Sequence, residues 1–140
     1  MDTAFFDEIN WIAAFCGGLA YFILGALWYS KLLFAPKWMT YVGIDPKNPG
    51  STKGIGGIML ASFLLMLVAS AGIAILRAKL DISGGWMSGV KLGGLTGLFG
   101  ATAISISYLY EQRPLGLHLI NGGYTIVGNV LAGIIICSWT

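Results

Sequence analysis

Charged residues are scarce in this 140-residue sequence. They make up 10% of the chain, whereas about a quarter of a soluble globular domain is charged. Apolar residues make up 56%, so the composition excludes an ordinary soluble domain. With 6 acidic residues, 1 histidine and 2 cysteines, few side chains remain for acid–base, metal or nucleophilic chemistry. We therefore expect no enzymatic activity, no metal ion or other cofactor, and no nucleic-acid partner.

Cysteine and proline are rare as well. The 2 cysteines, Cys16 and Cys137, have no metal-ligand spacing. They stand at different predicted depths of a membrane, so we interpret both as free thiols that act as small apolar residues. Only 4 prolines interrupt the chain, and the 21 glycines fall inside apolar runs, so the sequence is not of low complexity.

Long apolar runs dominate the rest of the sequence. A spanning helix needs about 20 mainly apolar residues to cross a hydrocarbon core of roughly 30 Å. Since backbone groups in lipid must hydrogen-bond within their own segment, such runs form helices. The sequence therefore predicts an all-α integral membrane protein, one domain over residues 1–140 with four transmembrane helices in a compact bundle. The predicted spans are Ile9 to Ser30, Ile55 to Leu76, Trp86 to Tyr110, and Leu117 to Trp139.

The segment between the first two spans, Lys31 to Gly54, is the only long loop, and it is termed loop 1 here. Within it, Phe34 to Gly43 predicts a short helix with Pro36 in the first turn and a glycine at the end. Trp38 would lie at the membrane interface, where amphipathic aromatic side chains are common. We therefore expect a short interfacial helix in loop 1.

Basic residues between the spans predict the orientation, because Lys and Arg concentrate on the cytoplasmic side of a membrane protein. The segment before the first span is acidic and lacks the basic start of a secretory signal, so we expect that span to be retained. Five basic residues lie on one side of the predicted membrane: Lys31, Lys37, Lys47, Lys53 and Arg113. Two or three lie on the other: Arg77, Lys79 and, just inside the third span, Lys91. We therefore expect a multi-pass protein of the cell membrane with both termini outside the cytoplasm.

Small residues recur at every fourth position of the third span. Lipid provides no hydrophobic drive for helices to associate, so close backbone approach along such a stripe is how membrane helices gain packing energy. This glycine-zipper pattern predicts a helix contact and leaves open whether the partner is another span or a second copy of the chain. Its members are Gly85, Gly89, Gly93, Gly97, Ala101 and Ser105.

Polar residues form a stripe on the fourth span. His118, Asn121, Thr125 and Asn129 fall within about 80° of one another around a helix. Unpaired polar groups in hydrocarbon cost free energy, so this face must contact other helices, another copy or water. The stripe is thus either a set of interhelical hydrogen bonds or the lining of a polar pathway or pocket. A lone His118 is weak evidence for a metal or haem site.

One membrane surface is predicted to carry a polar site. The turn between the third and fourth spans contains Glu111 and Arg113, and Lys31 closes the first span. A carboxylate at a partly dehydrated surface favours an opposite charge nearby, so Lys31 or Arg113 is expected to pair with Glu111. The alternative is a solvated turn with a weak local ion pair. The predicted site comprises Lys31, Glu111, Arg113, His118, Asn121, Tyr124, Thr125 and Asn129.

Two groups of short strings resemble a known family along the whole chain. The first group is Asn10-Trp11, Gly25-Ala-Leu-Trp28-Tyr29-Ser30, Leu32-Leu33-Phe34 and Trp38. The second group is Tyr108-Leu-Tyr-Glu111-Gln-Arg113-Pro114, Leu119-Ile120-Asn121-Gly-Gly-Tyr124 and Trp139. Together they resemble the four-helix membrane proteins catalogued as domain of unknown function 1761.

This resemblance implies four spans and a bacterial envelope protein of the inner membrane. It implies no established activity, substrate or cofactor. The chain has Lys31 where that family often has proline, and Thr125 where it often has histidine. A histidine-based role at the second position therefore does not carry over to this chain.

Two functions from different classes fit these observations. The first is a homo-oligomeric transporter, channel or binding protein for ions or small polar solutes, with the fourth-span stripe along the path. A second copy would be needed because four helices enclose little volume. The alternative is a structural or accessory subunit of a membrane complex without transport activity, whose polar groups hold helices together. The expected partners are the lipid bilayer and further copies of the chain.

Overall fold

Five α-helices form most of the chain in the computed structural model, which describes residues 4–45, 47 and 54–139. A short 3-10 helix, Ala4–Glu8, precedes them. The α-helices are α1, Trp11–Trp28; α2, Ala35–Val42; α3, Ile55–Lys79; α4, Gly85–Tyr110; and α5, Leu115–Ser138. No strand is present in these residues, so the predicted all-α fold is confirmed. Asp2, which is acidic, and Lys53 of the basic set lie outside the described residues.

Four of the helices, α1, α3, α4 and α5, are long and apolar enough to cross a membrane. They correspond to the four predicted spans, and no end differs by more than three residues from the predicted one. The start of α1 has a physical cause. The side-chain oxygen of Asn10 accepts a hydrogen bond from the Ala13 amide at 3.0 Å, so this residue caps the helix and does not lie within it.

The predicted short helix in loop 1 is present as α2. Pro36 lies in its first turn, where a missing amide hydrogen costs nothing. Gly43 ends the helix with a φ of 79°, a left-handed conformation that a glycine adopts without strain. Both ends of α2 therefore lie where the sequence predicted them.

Helix α5 occupies the centre of the bundle. It packs against α4 on one side and against α1 and α3 on the other, and α1 and α3 also pack against each other. Tight packing is concentrated at the end that carries both termini, where Ile73 and Ile136 are almost fully buried. There the side-chain amide of Asn10 donates to the Trp139 backbone carbonyl at 3.0 Å, and this bond joins the start of α1 to the end of α5.

Glycines allow α1 to approach its neighbours closely in the middle of the bundle. A Cβ atom on Gly17 would overlap the Ser70 hydroxyl of α3 and lie 3.3 Å from Ala132 of α5. Ser70 also links α3 to α1 directly, because its hydroxyl donates to the Ala14 carbonyl at 2.6 Å. Helices α1, α3 and α5 therefore converge at this level.

The small residues of α4 face α5 of the same chain along the middle of the predicted stripe. Cβ atoms on Gly89, Gly93 and Gly97 would overlap the α5 backbone, so these positions admit no larger side chain without movement of a helix. Ala101 continues the contact and lies against Gly122. Gly85 differs, because no atom lies within 4 Å of the place where its Cβ would stand.

Candidate functional site

The charged residues of the predicted polar site do not form a cluster. Arg113 and Glu111 approach each other to 3.8 Å between Nη2 and Oε1, with side chains that are 42% and 51% exposed. Exposed pairs of this kind contribute about 0–1 kcal/mol. Lys31 is exposed and makes no ion pair with Glu111. The turn therefore matches the alternative of a solvated local pair, and Lys31 is not brought into the site.

The deeper half of the α5 stripe bonds to α4 and to its own helix. Asn129 is only 6% exposed. Its side-chain oxygen accepts a hydrogen bond from the Thr96 hydroxyl at 3.0 Å, and its side-chain amide donates to the Thr125 backbone carbonyl at 2.8 Å. The Thr125 hydroxyl in turn donates to the Asn121 carbonyl at 2.9 Å. These groups are satisfied within the chain, as buried polar groups need to be.

Asn121 links three helices at the other half of the stripe. Its side-chain oxygen accepts from the Tyr29 hydroxyl of α1's C-cap at 2.6 Å. Its amide donates to the Tyr108 hydroxyl of α4 at 2.7 Å. The His118 ring packs edge-on against Tyr108, with centroids 5.4 Å apart. Asn121 is therefore the centre of a chain of hydrogen bonds that runs from α1 through α5 to α4, and His118 packs beside it.

Tyr124 lies one turn deeper on α5 and faces α1 and α3. Its hydroxyl donates to the Tyr21 carbonyl at 3.0 Å and contacts the Met66 sulfur at 3.6 Å. Gly25 leaves the room for this ring, since a Cβ there would come within 2.6 Å of the hydroxyl oxygen. Tyr124 is therefore packed against α1 and α3, away from the α4 contact that the deeper stripe residues make.

A cavity of about 570 Å³ opens beside Asn121 and Tyr124. The loop-1 end of the bundle is the end at which α1 and α4 finish and α3 and α5 begin. The cavity lies at this end, between α1 and α3, with α5 behind it. Small-molecule sites typically measure about 300–1,000 Å³. The lining residues are Phe22, Gly25, Ala26, Tyr29, Trp38, Ile55, Ile58, Met59, Ser62, Met66, Asn121 and Tyr124. None of them is charged.

Aromatic rings hold the polar wall of the cavity in place. The Tyr29 ring stands edge-on to Trp38 at a centroid distance of 5.4 Å and edge-on to Tyr124 at 5.2 Å. Such contacts are favourable beyond the area they bury. The neighbouring residue, Trp28, donates its indole hydrogen to the Ile120 carbonyl of α5 at 3.0 Å. The hydroxyl of Tyr29 is thereby directed at Asn121.

The separation of α1 and α3 at this end creates the cavity. At Gly17 the two helices are in close contact, whereas nearer loop 1 the Phe63 ring stands between them, 5.3 Å from the Phe22 ring. Beyond that level, the first two turns of α3 are exposed from Ile55 to Ala61. The cavity therefore narrows toward the middle of the bundle and is open near loop 1.

The described residues contain no cluster of three or more His, Cys, Asp or Glu side chains that could hold a metal ion. Cys16 is half-buried and Cys137 is buried, and neither forms a disulfide bond. The cavity itself offers hydroxyl, amide, thioether and aromatic groups. Its chemistry is therefore that of hydrogen bonding and apolar contact.

The sequence pattern of a family described as "Protein of unknown function (DUF1761)" matches residues 12–137. The chain belongs to this family. The match confirms the resemblance found in the two groups of sequence strings. No match was found among curated proteins or among solved structures.

The strings that resemble DUF1761 proteins meet at the back wall of the cavity. Trp28 and Tyr29, from the first group, donate to Ile120 and Asn121, from the second. Gly25 lies against the Tyr124 hydroxyl in the same contact. At the opposite end, Asn10 and Trp139 make the hydrogen bond between α1 and α5. The strings that carry the resemblance thus include three hydrogen-bonded contacts between the ends of α1 and α5.

Several residues of the site lie outside the sequence-based prediction, among them Tyr108, Ser62 and Met66. Tyr108 belongs to one of the strings that resemble the family, and that string is the only sequence feature that marks it. Its hydrogen bond to Asn121 does not follow from the sequence pattern. Ser62 and Met66 line the cavity from α3. No sequence signal marks them, because a single serine or methionine in an apolar span is ordinary.

Proposed function

We propose that this DUF1761 protein binds a small molecule in the cavity at the loop-1 end and catalyses no reaction. The cavity carries the proposal: it has the volume of a small-molecule site, an apolar lining and a few convergent polar groups. The hydrogen-bonded pair of Tyr29 and Asn121 holds two of those polar groups in fixed positions. A preorganised polar wall of this kind gives a ligand a defined orientation.

Binding is favoured over permeation of ions. An ion in an apolar cavity loses its hydration at a cost of several kcal/mol unless charged partners compensate, and none of the described residues that line the cavity is charged. Toward the middle of the bundle, α1, α3 and α5 close around Ser70, which is fully buried. Asn129 and Thr125, which were expected along a path, are bonded to α4 and to α5 itself.

The second candidate is a structural or accessory subunit of a membrane complex. It is supported by the α4–α5 interface, where polar groups of the stripe bond within the chain and so hold helices together. Self-association is part of either candidate. Because Gly89, Gly93 and Gly97 already face α5, a second copy would have to pack on another surface.

The proposed setting is the bacterial inner membrane, with the cavity on the cytoplasmic side and both termini outside. The support is the excess of basic residues at the loop-1 end, including Lys37 and Arg113. In intact cells, a chain lacking Cys16 and Cys137 but carrying Lys47→Cys should resist a membrane-impermeant thiol reagent. Asp81→Cys in the same background should react, and the reverse pattern would invert the orientation.

Photolabelling tests the binding proposal. In lipid nanodiscs, an octanol that carries a diazirine should label Tyr124 saturably, because this side chain is 8% exposed and accessible mainly through the cavity. Ala26→Phe should abolish that label by filling the cavity. Ala103→Phe, an equal change at an exposed position of α4 outside the cavity, should leave it intact. Equal labelling of Tyr124 in both variants, or no saturable labelling in wild type, would contradict the proposal.

A further inference from the structure

Ser62 presents a hydroxyl group to the cavity that bonds to no other described residue. It lines the cavity from α3, the candidate span with the highest mean hydropathy, 2.5. A serine inside a helix commonly donates to the carbonyl four residues earlier, and among the described hydrogen bonds Ser62 has no such contact. It lies seven residues into α3, about 10 Å from the start of the helix. A ligand hydroxyl in the cavity could supply the partner that this side chain lacks within the described chain.

The opposite wall offers complementary groups at a similar depth. Asn121 lies six residues into α5, about 9 Å from the start of that helix. After its bonds to Tyr29 and Tyr108, its amide keeps one hydrogen to donate. The Tyr29 oxygen, which donates its own hydrogen to Asn121, keeps lone pairs that can accept. The polar groups on this wall can therefore both donate to a ligand and accept from it.

The lining selects against charge. Tyr29 and Trp38 could contact a cation through their ring faces, yet no carboxylate is among the described lining residues to compensate the loss of hydration. The described lining residues include no basic side chain either, so a carboxylate or phosphate beside them would be equally unpaired. An uncharged ligand is the one that the cavity accommodates without an isolated buried charge.

The shape of the cavity favours an elongated ligand. Its α3 wall extends from Ile55 to Met66, about 16 Å along the helix. A volume of about 570 Å³ spread over that length leaves a narrow channel. The residues nearest loop 1 on α3 are apolar, Ile55, Ile58 and Met59, and can pack along a hydrocarbon chain.

We propose that the ligand is an uncharged, single-chain amphipathic molecule with a hydroxyl group, such as a long-chain alcohol or a monoacylglycerol. Its hydroxyl bonds to Ser62, facing the Tyr29–Asn121 pair on the opposite wall, and its chain lies along α3. This inference rests on the proposed small-molecule binding. The occupant is identified by the unpaired serine, the uncharged lining and the elongated shape together.

Competition against the photolabel on Tyr124 tests the inference. 1-Octanol should compete more strongly than octane, octylammonium or octanoate at equal concentration in the nanodisc. Ser62→Ala should weaken competition by octanol two- to tenfold, the range expected from one net hydrogen bond, and should leave competition by octane unchanged. Ser62→Thr, which keeps a hydroxyl, should restore the preference. Ser107→Ala, an exposed serine outside the cavity, is the matched control.

The outcomes separate this inference from the binding proposal. If Tyr124 is labelled saturably but octanol and octane compete equally, the hydroxyl selection is wrong and small-molecule binding stands. If octylammonium competes best, the aromatic rings select a cation and the inference is overturned. If no probe gives saturable labelling, the binding proposal itself fails. Ser62→Ala should fold as wild type does, because its side chain makes no hydrogen bond within the described chain.

Discussion

Asn121 is the single residue on which the loop-1 end depends most. Its side chain accepts from Tyr29 and donates to Tyr108, so it ties α1 and α4 to α5 at one point. A buried polar group that loses its partner costs about 1–3 kcal/mol. In a bilayer no water is at hand to replace the lost bond. The contact therefore has both a structural role and a role in shaping the cavity wall.

Substitution of Tyr29 by phenylalanine tests the structural role of this bond. Tyr29→Phe keeps the ring contacts with Trp38 and Tyr124 but leaves the Asn121 oxygen without its donor. We expect a loss of about 1–3 kcal/mol, seen as a lower melting temperature in detergent. Tyr110→Phe is the control, because Tyr110 is 88% exposed. Equal melting temperatures for the two variants would show that Asn121 has found another partner.

The sequence predicts the positions of some site residues and not of others. Asn121 and Tyr124 are predicted site residues because polar and amphipathic groups in an apolar span need partners, and both line the cavity. Lys31 was selected for its charge and its place in the chain, yet it is exposed and pairs with no carboxylate of the site. Position along the chain gives the depth of a side chain, whereas the rotation of each helix decides what that side chain contacts.

Helix α5 has two different polar contacts along its length. Its deeper stripe residues, Thr125 and Asn129, lie in the interface with α4, and their side-chain nitrogen and oxygen atoms are all hydrogen-bonded. Nearer loop 1, Asn121 and Tyr124 border the cavity beside α1 and α3. The sequence pattern predicts one continuous polar stripe, whereas the structure divides it between a hydrogen-bonded segment against α4 and a segment that borders the cavity.

Two neighbouring glycines of α4 test how closely this helix packs against α5. A Cβ on Gly93 would overlap the backbone at Asn129, whereas Gly94 has no atom within 4 Å of its Cβ position. Gly93→Ala should therefore destabilise the protein by about 1–3 kcal/mol through overpacking. Gly94→Ala should cause no loss, since alanine favours a helix more than glycine does. If thermal unfolding shows similar stabilities for both variants, the close approach of α4 and α5 is refuted.

At the scale of whole helices, the sequence predicted number, type and approximate ends. Apolar runs of sufficient length specify helices in lipid almost without alternatives, and Pro36 with Gly43 marked α2. The cavity could not be predicted this way. It depends on how α1 and α3 pack along their length, from the close contact at Gly17 to the Phe22–Phe63 ring contact nearer loop 1.

The bundle as a whole is closed at one end and open at the other. Near the termini, buried residues such as Ala13 and Ile136 fill the space between α1, α3 and α5. Near loop 1, α3 stands away from α1 and leaves the cavity between them. All the described lining residues belong to one chain, so the proposed ligand binding does not require a second copy.

The central claim is that a small molecule occupies this cavity. The most direct test is a nuclear Overhauser effect between the protons of 1-octanol and the ring protons of Tyr124, measured in nanodiscs of deuterated lipid. We expect this signal in wild type and its loss in Ala26→Phe. Signals from octanol to exposed α4 side chains such as Leu95, without any to Tyr124, would place the alcohol in the surrounding lipid and contradict the claim.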